Sequence, residues 1–140
     1  MEVMELPNNY LNALAQQFIF ISAFLGGFSA ALLGTVIVSE IKTKYSKIMV
    51  VSSALAAMCF VVTVFGMTSI LFQTTEGYPL VIDSHGLLLI RIISIFSMII
   101  GLISFTVSIG SSGWLMSKRI GRITTGIGII AFILIIMMMG

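Results

Sequence analysis

The chain has 140 residues, 59% of them hydrophobic and 9% charged, with a net charge of +2 and a mean hydropathy of +1.19. Soluble domains carry roughly a quarter charged residues, and a chain of this size hides only about two-thirds of its surface by folding, so lipid is the expected solvent. The weak net charge leaves no footprint for nucleic acid, and a single cysteine, Cys59, excludes an internal disulfide and any cysteine-cluster metal site.

Four apolar runs follow one another, each near the roughly 20 residues that a helix needs to cross a hydrocarbon core. They do not alternate as barrel strands would, so helices are expected. The spans are placed at about 17–38, 48–72, 86–114 and 123–139, within a single transmembrane domain covering 1–140. The fold class is therefore all-α integral membrane, a four-transmembrane-helix bundle.

The first run begins before the membrane. Asn8 or Asn9, after Pro7, is the expected cap, and a helix from Asn9 to Glu40 would be about 48 Å long. Its middle, "SAFLGGFSAALLGTV", holds two rows of small residues spaced by four. Ser22, Gly26, Ala30 and Gly34 make one row; Ala23, Gly27, Ala31 and Thr35 make the other. In lipid, helices associate through close packing and interhelical hydrogen bonds, and small residues let backbones touch. One row is expected to pack inside the bundle and the other against a neighbouring subunit, with simple intramolecular packing of both as the alternative. Phe20, Phe24 and Phe28 form a bulky row beside them, expected to meet lipid or fill the core.

The loop after the first run, "EIKTKYSK", carries Lys42, Lys44 and Lys47, with Glu40 expected to pair with them at the interface. The second run carries Ser52, Ala56, Cys59, Thr63, Gly66, Ile70 and Gln73 at heptad spacing, suited to left-handed crossings. The next loop has no Lys or Arg but contains Glu76 and Asp83. The third run repeats the heptad pattern with Ser94, Ser97, Gly101, Ser104, Ser108 and Ser111. These stripes are helix-packing or pore-lining candidates. A final basic loop, "MSKRIGR", holds Lys118, Arg119 and Arg122. The fourth run has Gly121, Thr125 and Gly128, then turns wholly apolar from Phe132. Six of the seven basic residues thus lie in two loops on one side. By the positive-inside rule those loops are cytoplasmic and both termini lie on the non-cytoplasmic side. The acidic N-terminal region, with Glu2 and Glu5, does not read as a cleaved signal peptide.

Chemistry has few places to sit. Arg91 is the one basic residue inside a span, where a charge is costly. An ion pair with Asp83 or Glu76, or snorkelling of its long stem to the interface, is expected, with a charge at the outer mouth of a pathway as the functional alternative. "GSSG", 110–113, matches the nucleophile turn of rhomboid-like intramembrane proteases. The only histidine, His85, lies 27 residues from Ser112, roughly 40 Å away along one helix, beyond the hydrogen-bond reach that a nucleophile and base require. One histidine and scattered acids build no metal site. No catalytic, cofactor-binding or metal residue is assigned, no cofactor is expected, and "GSSGW" reads as the loosened end of the third helix with Trp114 as an interfacial anchor.

The 17 residues "SAFLGGFSAALLGTVIV" resemble the pore helix of Orai calcium channels, which also have four spans and oligomerise around the first. The acidic selectivity position of that helix has no match here, and the expected direction of the first span is opposite. No functional residue is carried over; the resemblance implies only that four small spans suffice for a channel.

The expectation is a homo-oligomeric ion channel or pore-forming subunit, multi-pass in a prokaryotic inner membrane. Its partners would be the lipid bilayer and further copies of itself. The alternatives are a non-conducting anchor that docks a cytoplasmic or membrane protein through its basic loops, and a small dimeric transporter.

Overall fold

The computed structural model describes residues 7–40, 42–75 and 84–139. It contains α1 (Asn8–Val38), α2 (Lys44–Thr74), α3 (Ser84–Met116) and α4 (Lys118–Met139). Each is long and apolar enough to cross a membrane. Successive helices run antiparallel and pack on one another, α1 on α2, α2 on α3 and α3 on α4. The links α1–α2 and α3–α4 therefore share one end of the bundle with all six of the loop lysines and arginines, here called the basic end.

The helix ends differ in detail from the sequence expectation. α1 is capped by Pro7, not by an asparagine side chain. Proline's extended ψ of 137° turns its carbonyl toward the helix, where Tyr10 and Leu11 donate to it at 2.9 and 3.1 Å. α2 starts at Lys44, with the Thr43 hydroxyl accepting from the Ser46 amide at 3.2 Å. The last basic loop shrinks to Ser117, whose hydroxyl caps α4 by accepting from the Ile120 amide at 3.2 Å. Lys118, Arg119 and Arg122 are helical.

"GSSGW" is not a loosened end: α3 continues to Met116. Its glycines are the surface on which α4 lies. A Cβ added to Gly113 would overlap Thr124, and one on Gly110 would touch Thr125 at 3.6 Å. In return Gly121 admits the Trp114 indole, and Gly128 admits Thr106. A one-residue link leaves two helices little room to diverge, so the first turns beyond it need glycine on both sides.

The middle of the bundle is built around Phe60, which is fully buried. A Cβ on Gly26 of α1 would come within 3.3 Å of Phe60 Cβ, and one on Gly101 of α3 within 3.0 Å of Phe60 Cε1. The ring also meets Phe105 edge-on, with centroids 6.4 Å apart. One large knob thus fills holes left by two glycines on two helices. The buried set on α2 is Ser46, Met49, Ser52, Ser53, Ala56, Phe60, Thr63, Met67, Ile70 and Thr74; apart from Ser52 it is an alternation of three and four that marks left-handed packing. At the end away from the basic loops, Ala15, Met67 and Ile70 form a small core with Phe18, Leu87 and Ile90 around it, drawing α1, α2 and α3 together.

Truncating the Phe60 knob tests this account. Phe60→Ala should lower stability in detergent by ~3 kcal/mol, the low end for such a deletion because lipid weakens the transfer term. Gly101→Leu should be at least as harmful, since the new side chain competes with Phe60 for the same hole. Chemical denaturation followed by circular dichroism would measure both.

Candidate functional site

The polar stripes of α2 and α3 face each other. Ser53 and Ser108 hydroxyls are both buried and hydrogen-bonded at 2.5 Å. Thr63 donates to the Ser94 carbonyl at 3.3 Å, and Ser97 donates to the Cys59 carbonyl at 2.9 Å. Ser94 Oγ occupies the space that a side chain on Gly66 would take. Each hydroxyl removed from water needs a partner in an apolar medium, and here the two helices supply one another's. Of the stripe residues on α3, Ser94, Ser97, Gly101 and Ser108 lie in this seam. Ser104 is buried but opens on a groove beside it.

α1 carries two seams. Toward α2 it presents Leu11, Ala15, Phe18, Ser22, Leu25, Ser29, Leu32 and Val36, which are buried or half-buried and spaced by four and three. The rows of four read from the sequence do not stay on this face. Four residues turn a helix by about 400°, so such a row drifts about 40° per step. Ser22 is buried and Gly26 half-buried against Phe60, but Ala30 and Gly34 have turned outward. The second row, Ala23, Gly27, Ala31 and Thr35, is exposed throughout.

The outward residues regroup into a second seam, Ala23, Gly27, Ala30 and Gly34, again spaced four, three and four. Neither Gly27 nor Gly34 would meet any atom within 4 Å if given a Cβ. Phe20, Phe24 and Phe28 border this smooth strip and are 74%, 60% and 53% exposed; Phe24 and Phe28 stack at a tilt with centroids 5.3 Å apart. Ser22 Oγ is buried with no hydrogen-bond partner, whereas Ser29, one heptad on, donates to the Leu25 carbonyl at 2.9 Å.

Arg91 is half-buried. It lines a small cavity with Leu11, Leu14 and Phe18 of α1 and Met67 and Ile70 of α2. Asp83 and Glu76, its expected partners, lie outside the described residues. The polar cluster near that end is neutral: Gln16 donates to Asn12 at 2.9 Å, and Asn12 reaches Thr75 of α2 at 3.4 Å.

At the basic end Lys42, Lys44, Lys47, Lys118, Arg119 and Arg122 are all exposed. Glu40 is exposed too, and among the described residues it forms no ion pair with the neighbouring lysines; water at this end leaves little to gain from one. Tyr45 stacks on Trp114 with centroids 5.3 Å apart, and Trp114 Nε1 donates to Thr125 at 3.1 Å. These contacts tie α2, α3 and α4 together beneath the charges. Ser112 donates to the Ile109 carbonyl at 2.6 Å and lies on the same continuous helix as His85. Among the described residues no group of His, Cys, Asp and Glu could hold a metal.

No protein-family model matches this chain, and neither does any curated protein or solved structure.

The Ser53–Ser108 bond gives a direct measurement. In a double-mutant cycle with Ser53→Ala and Ser108→Ala, the coupling should fall between about 0.6 and 1.7 kcal/mol, the range for interhelical hydrogen bonds in membranes. Additive losses would mean that the two hydroxyls do not depend on each other.

Proposed function

We propose that this is a multi-pass membrane protein that works as a homo-oligomer assembled through α1, and that ions or small solutes pass along the contact between copies, as in a channel or membrane-permeabilising subunit. The observation that carries the reading is the second α1 seam. Ala23, Gly27, Ala30 and Gly34 offer a backbone-close surface at heptad spacing that none of the described residues covers. Lipid tails gain nothing from such a strip, whereas an identical helix could approach it closely. The hydroxyls between α2 and α3 are spent on each other and on backbone carbonyls, so a pathway through this protein would lie between copies and not within one.

The orientation belongs to the same proposal. Both basic links lie on the cytoplasmic side and both termini outside, in a prokaryotic inner membrane, as the bias of Lys and Arg argues. A second reading is favoured by the basic end itself. Six exposed cations on one face would suit an acidic cytoplasmic partner, with the protein as a non-conducting anchor.

Two variants one residue apart separate the seams. Gly27→Leu should dissociate the oligomer, read by mass in nanodiscs, while helical content stays at the wild-type level. Gly26→Leu should instead destabilise the chain by about 1–3 kcal/mol, because its side chain meets Phe60. Ion flux in liposomes containing the purified protein alone should be lost with Gly27→Leu. No flux from the wild type would favour the anchor. Unchanged mass for Gly27→Leu would remove the α1 interface.

For orientation, Thr75→Cys in a Cys59→Ala background should react with an impermeant thiol reagent added outside intact cells, and Glu40→Cys should react only after permeabilisation. The reverse pattern would show that the basic loops do not set topology here.

A further inference from the structure

Between the first turns of α2 and the facing part of α3, the flank of the bundle is notched by a groove of about 440 Å³. Val51, Ile103 and Val107 form its walls, Ser52 and Ser104 its floor, and Lys47 stands at its basic end. The wall residues are exposed and the two serines buried, so the groove opens sideways, where the membrane lies if these helices span it. From Lys47 to Leu55, its deepest residue on α2, it runs about 12 Å along the helix axis.

Two features distinguish this notch from ordinary lipid-facing surface. Its mouth is cationic: Lys47 is exposed, and Lys44 lies one turn earlier on the same side of α2. Glu40, the one acid among the described residues, forms no ion pair with either. Its floor holds an unused donor. On α3, Ser94, Thr106 and Ser111 each donate to the carbonyl one turn back, at 2.8, 2.9 and 2.8 Å. Ser104 is 7% exposed, and among the described residues its hydroxyl has no hydrogen-bond partner. Unlike Ser22 Oγ, which is shut in without a partner, this hydroxyl opens on the groove, where an acceptor can reach it.

We propose that the groove binds one anionic glycerophospholipid. Its phosphate sits on Lys47, one acyl chain lies between the apolar walls, and its ester oxygens come down toward the Ser104 hydroxyl, beside Ser52, which is about 7.5 Å deeper than Lys47 along the axis and whose own hydroxyl donates to the Met49 carbonyl. A wholly apolar occupant would leave both the cation and the donor unanswered; a free anion would leave the walls bare. Basic pockets between membrane helices hold anionic head groups on the same electrostatic grounds. The site lies on α2 and α3, away from the outward seam of α1, and does not depend on assembly.

The test is native mass spectrometry of the lipid-stripped full chain in detergent, titrated with phosphatidylglycerol or phosphatidylcholine bearing identical oleoyl chains. The wild type should retain one phosphatidylglycerol about fivefold more tightly than phosphatidylcholine, the worth of one basic residue near a head group. Lys47→Gln should abolish that preference. Lys118→Gln, which removes the same charge from the same end but outside the groove, should keep it. Ser104→Leu fills the floor and should cut retention of both lipids. Val51→Trp, which adds bulk only to an exposed wall, should do the same with helical content intact. Equal retention of the two lipids by the wild type, or equal effects of Lys47→Gln and Lys118→Gln, would mean annular lipid only and overturn the proposal. So would undiminished retention in Val51→Trp, or a change in its oligomeric mass in place of a change in lipid binding.

Discussion

Helices surrounded by lipid gain little from hiding apolar side chains, because the tails outside are as apolar as the neighbour inside. What remains is close contact, and in this protein close contact centres on Phe60. The ring is accommodated because Gly26 on α1 and Gly101 on α3 leave it space, and with those two holes filled the three helices lie near enough for hydroxyls to reach across. The short bonds Ser53–Ser108 and Ser97–Cys59 carbonyl follow from that spacing. At the basic end the same principle is carried by other residues, where Gly110, Gly113, Gly121 and Gly128 let α4 turn back on α3 after a single linking residue.

The polar content of the spans is therefore mostly structural. Serines and threonines along α2 and α3 bond to each other or to carbonyls one turn back, which leaves few donors for a solute within the chain. The surfaces that lack a partner lie on the outside. One is the smooth strip on α1, small enough for another backbone and bordered by phenylalanines. Another is the cationic end, where exposed lysines and arginines surround the Tyr45–Trp114 stack. The proposed assembly uses the first and the proposed lipid site touches the second. The two occupy different helices.

A helix can serve two neighbours only if two sets of positions keep phase with it. On α1 the heptad through Ala15, Ser22, Ser29 and Val36 holds its face toward α2, and the heptad through Ala23, Ala30, Gly27 and Gly34 holds another face outward. Spacing of four fits neither, because it precesses about 40° per step. Gly26 and Gly27 are neighbours in sequence, yet a side chain on one would meet Phe60 and on the other would meet none of the described residues.

Amino-acid order alone was enough for the four helices and their approximate limits, since runs of apolar residues admit no other backbone in lipid. It also placed Ser94, Ser97 and Gly101 on one stripe of α3 and Thr63 and Gly66 on one stripe of α2, because heptad spacing is a local property of a helix. It did not reveal Phe60 as the central knob: a buried phenylalanine and a lipid-facing one look alike in an apolar run. Nor did it distinguish the inward from the outward row of α1, or recognise the glycines of "GSSG" as the bed of α4. Those choices depend on which helix lies opposite and at what crossing angle. Periodicity sets the faces of each helix, and only the packing of one against another decides which faces meet.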